Sequence, residues 1–310
     1  MPVTVTAVVP THDRPELLRS TLASIRAQRD VALEIIVVDD ASDPPARTVV
    51  AALEDPRIRV TRQEPPRGVV AARNAGIALA SGEWVAFCDD DDLWAPDKLR
   101  RQLGAAEATS RRWVYTGSVD VDLAGRVIGG GPPATPAHLP RLLERFNAVS
   151  GGGSGTIVES ALLTDAGGFD PEFQGSHLED WELWLRLARQ ELPAWVPAPL
   201  VGYRVHGGNA SLRVEELVAG MRRLEQRHNV TVDRAAFHRN LAWAARRAGQ
   251  PRLAARQFAR AARHGHLVPL AREVAGAVRT GLAPRLTRRP VPTSPWQREA
   301  QGWITDVPAR

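Results

Sequence analysis

The chain has 310 residues, 44% of them hydrophobic, enough to bury a sizeable core in one large domain or one domain with an appendage. Its single cysteine, Cys88, excludes an intrachain disulfide and fits a reducing compartment, and no run approaches the ~18 apolar residues of a membrane span. The net charge of +5 is uneven: residues 211–310 carry 19 Arg against 7 Asp plus Glu, leaving 21 basic and 28 acidic residues in the first 210. The basic part reads first as solvated helix surface, and second as a surface for phosphate or anionic lipid. The N-terminal MPVTVTAVVP lacks the basic segment and cleavage site of a secretory leader, so a cytoplasmic setting is expected.

The first hundred residues alternate strand and helix signals. VTVTAVVP (3–10) is a β-branched run, and HDRPELLRSTLASIRAQ (12–28) has helical spacing at Leu17, Leu18, Thr21, Leu22 and Ile25. Asp13 is a candidate N-cap for that helix, with Glu16 three residues on and Pro15 in the first turn. LEIIVVDD (33–40) is short and apolar enough for a strand buried on both faces. PARTVVAALED (45–55) suits a short helix, RIRVTRQ (57–63) alternates with period two, and GVVAARNAGIALASG (68–82) reads as a helix ended by Gly82. EWVAFCDD (83–90) is a further strand. This βαβ rhythm predicts a mostly parallel sheet with helices on both faces, which binds its ligand beyond the carboxyl ends of the strands. Thr11-His12-Asp13, Asp39-Asp40 and Asp89 to Asp92 all fall at such ends.

Beyond residue 110, RRWVYTGSVDVDLAGRVIGGG (111–131) predicts a hairpin around Ala124-Gly125. A Gly/Pro-rich loop and the short helix RLLERF (141–146) follow. SGGGSGTIVES (150–160) is glycine-rich, then strand-like, and lacks the Gly-Lys-Ser/Thr ending of a phosphate loop. LEDWELWLRLARQ (178–190) predicts a helix, and GYRVHGGNAS (202–211) an extended segment. FHRNLAWAARRAGQPRLAARQFARAARHG (237–265) reads as two helices joined at Gly249-Gln250-Pro251, similar to one tetratricopeptide hairpin. The expected divisions are 1–210, a helical region 211–281 and a Pro/Arg-rich tail 282–310.

Four consecutive aspartates at a strand end repel one another. A calcium loop is excluded, because the sixth and twelfth positions from Asp89 are Trp94 and Arg100 rather than Gly and Glu. A solvated acidic turn and a Mg²⁺ or Mn²⁺ site shared with a phosphorylated substrate both remain, and the strand-end context favours the second. Side-chain alternation allows Asp89 and Asp91 to cooperate. Without metal and nucleotide, this turn is expected to be the least settled part of the sheet.

Taken in order, VVPTHDR, VVDDASD, AARNAGIALASGEWVAFCDDDDLWAPDKL, GGFD and LEDWELWLRL resemble the motif set of family-2 glycosyltransferases with the GT-A fold, over roughly residues 3–210. The resemblance implies an α/β fold, a Rossmann-like mixed sheet flanked by helices and followed by a C-terminal α-helical extension. Residues 1–110 would be the nucleotide-binding half and 111–210 the acceptor-binding half. It implies inverting transfer of a sugar from a nucleotide-diphosphate donor, with Mn²⁺ or Mg²⁺. Pro10, Thr11 and Asp39 match positions lining a nucleoside pocket, with Asp40 beside them. An aspartate there can accept the imide N–H of uracil or thymine, which guanine does not offer in that geometry, and a UDP-linked donor is expected. Arg73 matches a basic residue near the nucleotide. Asp89 matches the first carboxylate of the Asp-x-Asp motif, at the ribose or sugar and as a metal ligand, and Asp91 matches the principal metal ligand. Asp90 is a rival for the ribose role. Asp92 is expected to cap the turn into LWAPDKL, with Pro96 entering the next helix. Asp180 matches the catalytic base, with Glu179 and Trp181 on the acceptor side, and His206 is a late histidine near the diphosphate or metal.

The acceptor stays open between a glycan, a lipid-linked, a peptide and a small-molecule nucleophile, with no nucleic acid expected. Peripheral contact with the inner membrane face and a homodimer through the C-terminal helices are further expectations. A nucleotidyltransferase would carry a Gly-rich basic loop where this chain has PTHDRPE. An inactive nucleotide-sugar-binding or scaffold protein would lack the metal aspartates or the base, and both are present.

Overall fold

The computed structural model describes residues 4–209, 212–265 and 294–305. The rest of the expected helical region and tail lies outside the described residues. Strands β1 (Thr4–Thr11), β2 (Ala32–Asp39), β3 (Ile58–Arg62) and β4 (Trp84–Phe87) form a parallel half, in the order β3-β2-β1-β4. Helices α1 (Pro15–Arg26), α2 (Arg47–Ala51) and α3 (Val69–Leu79) are the crossovers. Every residue of β1 from Val5 onward is buried, which is why its sequence is apolar on both faces.

Beyond β4 the sheet is mixed. β8 (Thr156–Glu159) runs antiparallel to β4, and β6 (Trp113–Val121) antiparallel to β8. β9 (Ala194–Arg204) lies parallel to β6, and β5 (Leu93–Trp94) closes the edge antiparallel to β9. β7 (Val127–Gly131) forms the expected hairpin with β6, turning at Gly125 with φ 74°. The mostly parallel sheet that the rhythm predicts therefore holds only for the first four strands.

Side chains alternate across β1: Val5, Ala7 and Val9 join one apolar layer with Leu22 and Trp94, and Val8 joins the other with Phe87 and Trp113. The helices of the middle region are α4 (Lys98–Thr109), α5 (Leu139–Leu143), α6 (Ser160–Asp165) and α7 (Glu179–Gln190). Trp184 of α7 stacks on Trp113 at 6.0 Å between ring centroids, so both tryptophans of this pair are core.

Three local expectations are corrected. Asp13 does not cap α1: its φ is 53°, its carboxylate accepts from Asp43 N, and the residue before the helix is Arg14. Helix α3 ends at Leu79, three residues before Gly82, whose own requirement is space, since a Cβ there would lie 2.7 Å from Thr6 N. Asp92 does not cap the turn into α4. It is fully buried, and its Oδ1 accepts from Arg204 N at 3.1 Å, which ties the aspartate turn to the end of β9.

The C-terminal region contributes α8 (Val214–His228), α9 (Arg234–Arg247), α10 (Pro251–Arg263) and α11 (Pro295–Ile304). α9 and α10 pack as a hairpin through Trp243 and Phe258, whose rings meet edge to face. His228 of α8 meets Glu182 of α7 at 3.0 Å. The part of the tail that is described is helix α11, seated on the sheet. Trp296 donates to Ser118 O, Trp303 donates to Pro199 O at 2.8 Å, and Gln301 accepts from Val127 N. No helix among the described residues is long and apolar enough to cross a membrane.

Candidate active site

The carboxyl ends of β1, β2 and β4, the Gly151–Gly153 loop, the start of α7 and one face of α9 enclose a cleft of about 960 Å³. The aspartate turn forms its floor, and cations of the chain itself answer the repulsion there. Arg14 donates from Nη1 to Asp90 Oδ1 at 3.1 Å and to Asp91 Oδ2 at 3.0 Å. Thr11 donates to Asp90 Oδ2 at 2.7 Å, and Thr21 to the carbonyls of Asp90 and Asp92. Arg73 donates to Asp89 Oδ1 at 2.6 Å. Each of the four aspartates thus has a hydrogen-bond partner within the chain. Burial, and next the charge of Asp91, push the Asp90 carboxyl up to about 7.

Asp180 lies in the first turn of α7, where the helix N-terminus favours an anion. Its Oδ1 accepts from Trp181 N at 2.6 Å and its Oδ2 from Asn147 Nδ2 at 3.2 Å. Gly152 passes so close that a Cβ would lie 3.0 Å from Asp180 Oδ2, and its φ is 53°. Burial, then the neighbouring charge of Glu179, raise the Asp180 carboxyl to about 7, against the pull of Arg73. Arg73 is 3% exposed and spans the cleft floor. Its Nη1 donates to Glu179 Oε1 at 2.6 Å while its Nη2 holds Asp89. Burial works against the Arg73 charge, but Asp89 and Glu179 outweigh it and hold the guanidinium protonated.

Two carboxylate stations thus face one cleft, one at a strand end and one at a helix start. Residues 6–149 match the family model described as Glycosyl transferase family 2. Over that segment, just under half of its length, the chain resembles this family. It is 38% identical over 138 residues to the succinoglycan biosynthesis protein ExoO of Rhizobium meliloti (strain 1021), covering 44% of this chain and 40% of that one. It is 26% identical over 185 residues to the UDP-Glc:alpha-D-GlcNAc-diphosphoundecaprenol beta-1,3-glucosyltransferase WfgD of Escherichia coli, covering 60% and 70%. The chain therefore spans less than half of the length of ExoO.

Among solved structures, S. aureus TarS 1–349 in complex with UDP-GlcNAc superposes with a TM-score of 0.58 at 20% identity, over 80% of this chain and 72% of that one. The mannosyltransferase PcManGT of Pyrobaculum calidifontis, in complex with GDP-Man and Mn²⁺, superposes with 0.54 at 19% identity, over 99% and 86%. The fold is GT-A.

On this GT-A scaffold most of the expected residues converge. Pro10, Thr11, Asp40, Arg73, Asp89, Asp90, Asp91, Glu179, Asp180 and Trp181 all line the cleft. Asp39 does not. Its carboxylate is turned into the β2–α2 loop, where it accepts from Ser42 N, Ala46 N and Arg62 Nη1. Against the effect of burial, these bonds hold its pKa below the usual range. The acid that faces the cleft here is Asp40, held by the backbone N–H groups of Arg67 and Gly68 at 2.7 and 2.8 Å. Trp181 is 2% exposed and its indole donates to Leu143 O, so it is mainly a wall of the core.

His206 Nε2 meets Asp91 Oδ2 at 3.0 Å. Among the described residues no three acidic, histidine or cysteine side chains converge as a ready-made cage. One carboxylate and one imidazole still fit Mn²⁺ or Mg²⁺, which take few protein ligands and complete their shell with phosphates and water. Asp89 stands apart from this pair, committed to Arg73. Sequence reading missed Arg14 and Asn147. The signal for a cation was present, since four adjacent carboxylates demand one, but nothing local marks Arg14 as the residue that supplies it.

Proposed function

We propose that the protein transfers a sugar, with inversion, from a UDP-linked donor to an acceptor hydroxyl, in the assembly of a cell-surface or related glycan. The observation that carries this reading is Asp180, an oriented carboxylate at a helix N-terminus that faces the aspartate turn across one cleft. The name of WfgD, which specifies UDP-Glc and a lipid-linked acceptor, supports the donor class and glycan assembly.

Asp180 receives the acceptor proton as the hydroxyl oxygen bonds to the anomeric carbon and the bond from that carbon to the diphosphate oxygen breaks. Its raised pKa near 7 makes it a competent base at neutral pH. Asn147 and Trp181 N fix the direction of its two oxygens. Asp40 with Pro10 and Thr11 receives the nucleoside, and Asp89 the ribose or sugar. Asp91 and His206 would hold Mn²⁺ or Mg²⁺, whose charge offsets the negative charge that builds on the leaving diphosphate. With PcManGT holding GDP-Man, the nucleotide base is the first thing to test.

The experiment is UDP release from UDP-glucose and UDP-GlcNAc by wild type and Asp180→Asn, with UDP binding measured by calorimetry and the product anomer by NMR. Loss of transfer with UDP affinity kept within about twofold is expected. A fully active Asp180→Asn enzyme, or retained anomeric configuration, refutes the mechanism.

A further inference from the structure

Helix α9 lies outside the family-matched segment, yet one of its faces forms a wall of the cleft. Phe237, Asn240, Leu241 and Ala244 line it, spaced as a single helical stripe. The helix is fixed at both ends to the acceptor half. At its start, Asp233 N donates to Arg145 O at 2.8 Å, and Arg145 Nη2 donates back to Asp233 Oδ2 at 2.9 Å. At its end, Arg247 pairs with Asp120 of β6 at 2.7 Å. The first clamp holds the loop that carries Phe146 and Asn147, and Asn147 is the residue that orients Asp180.

The groups that α9 and the elements facing it bring to this cleft are two half-buried phenyl rings, Phe146 and Phe237, the amides of Asn147 and Asn240, and Asp120, whose carboxylate is held by Arg247; of these, Asn147 contacts Asp180. Asn240 is exposed, and its amide has no hydrogen-bond partner among the described residues. Flat apolar rings beside amides and a carboxylate match a pyranose, which has an apolar C–H face and an equatorial belt of hydroxyls. A peptide serine or threonine would need backbone partners instead.

We infer that α9 completes the acceptor subsite, and that the acceptor is a sugar residue seated on Phe237 and hydrogen-bonded by Asn240. This rests on the glycosyltransferase reading above and names the acceptor class for the same site.

The test uses the full chain with UDP-glucose or UDP-GlcNAc. The acceptors are a panel of p-nitrophenyl glycosides of glucose, galactose, mannose and N-acetylglucosamine, and a Ser/Thr-rich peptide. Stimulation of UDP release by at least one glycoside and not by the peptide is expected. Phe237→Ala should raise the acceptor KM at least tenfold and Asn240→Ala severalfold, with UDP affinity by calorimetry within twofold. Phe237→Trp, which keeps a stacking surface, should restore most of the loss and guards against a folding defect. Methyl and dodecyl glycosides of the preferred sugar assign its source, a lower KM for the dodecyl form marking a lipid-linked glycan.

Stimulation by the peptide alone overturns the inference, as does stimulation by none of the glycosides. So do Phe237 and Asn240 variants that both leave the acceptor KM within twofold. Wild-type UDP release that is abolished in Asp180→Asn tests the glycosyltransferase reading separately. If that holds while the α9 variants are silent, the subsite alone falls.

Discussion

Replacing Glu179 by Gln separates the electrostatics of the base from its geometry. Glu179 Oε1 accepts from Arg73, and a glutamine oxygen can keep that bond while losing the charge. Asp180 stands at about 7 because of burial first and the Glu179 charge second. A unit charge at ~10 Å in an effective dielectric of ~20 contributes ~1.7 kcal/mol, which is about one pKa unit. Removing it should bring Asp180 to about 6. At pH 6 the ionised fraction of the base then rises from about a tenth to about a half, so kcat increases about fivefold, while at pH 8 it hardly moves. The assay is kcat against pH under saturating donor and acceptor, for wild type and Glu179→Gln. Wild type should rise through a midpoint near 7, and the variant through one about a unit lower. An unchanged or upward-shifted midpoint would refute Glu179 as a source of the raised pKa. Stability gives an independent check. A carboxyl whose folded pKa exceeds its unfolded value loses stability as pH rises between the two, here from about 4 to about 7. Asp180→Asn should therefore be more stable than wild type at pH 8 by on the order of 2–4 kcal/mol, read as a higher Tm. The difference should vanish near pH 4.

Three further substitutions probe other parts of the site. His206→Ala should raise the Mn²⁺ concentration needed for half-maximal activity about tenfold or more, and equal metal titrations for variant and wild type would remove His206 from the site. Gly152→Ala combines a φ of 53° with a Cβ 3.0 Å from Asp180 Oδ2, so it should cost ~1–2 kcal/mol in chemical denaturation and lower kcat more than the donor KM. Glu182→Ala removes the shared acceptor of Arg186 and His228, buried between α7 and α8, and should cost about 3–5 kcal/mol, read as a fall in Tm.

Strands β1, β2 and β4 are legible in the sequence because both faces are buried and their apolar runs are continuous. The aspartate turn and Asp180 are legible because each motif is local and its order along the chain is informative. What the sequence hides is long-range. Arg14 reaches Asp91 across 77 positions, and Arg73 reaches Glu179 across 106. Asp39 and Asp40 look equivalent on paper, and only alternation at the strand end, together with Arg62 opposite, turns the first inward. The cleft wall that α9 provides is hidden for a similar reason. An Ala/Arg-rich helix gives no sign of which face meets a cleft until Arg145 and Asp120 fix both of its ends.

Arg73 shows how the two stations are kept in register. As a free ligand for the nucleotide it would leave one guanidinium nitrogen unpaired toward the cleft. Instead both Nη atoms are committed at 2.6 Å, one to Asp89 in the aspartate turn and one to Glu179 next to Asp180. Its reach is set by α3, which lies close to β1 because residue 76 is glycine; a Cβ there would sit 2.3 Å from Val8 Cγ1. The guanidinium also lies over the Phe169 ring at 5.2 Å, which confines it from one side. The spacing between the aspartate turn and the start of α7 is therefore set by a single buried side chain on α3. Misplacement of a reacting group by ~1 Å costs on the order of a hundredfold in rate, so under the proposed mechanism a buried bridge serves transfer better than a mobile phosphate-binding arginine would.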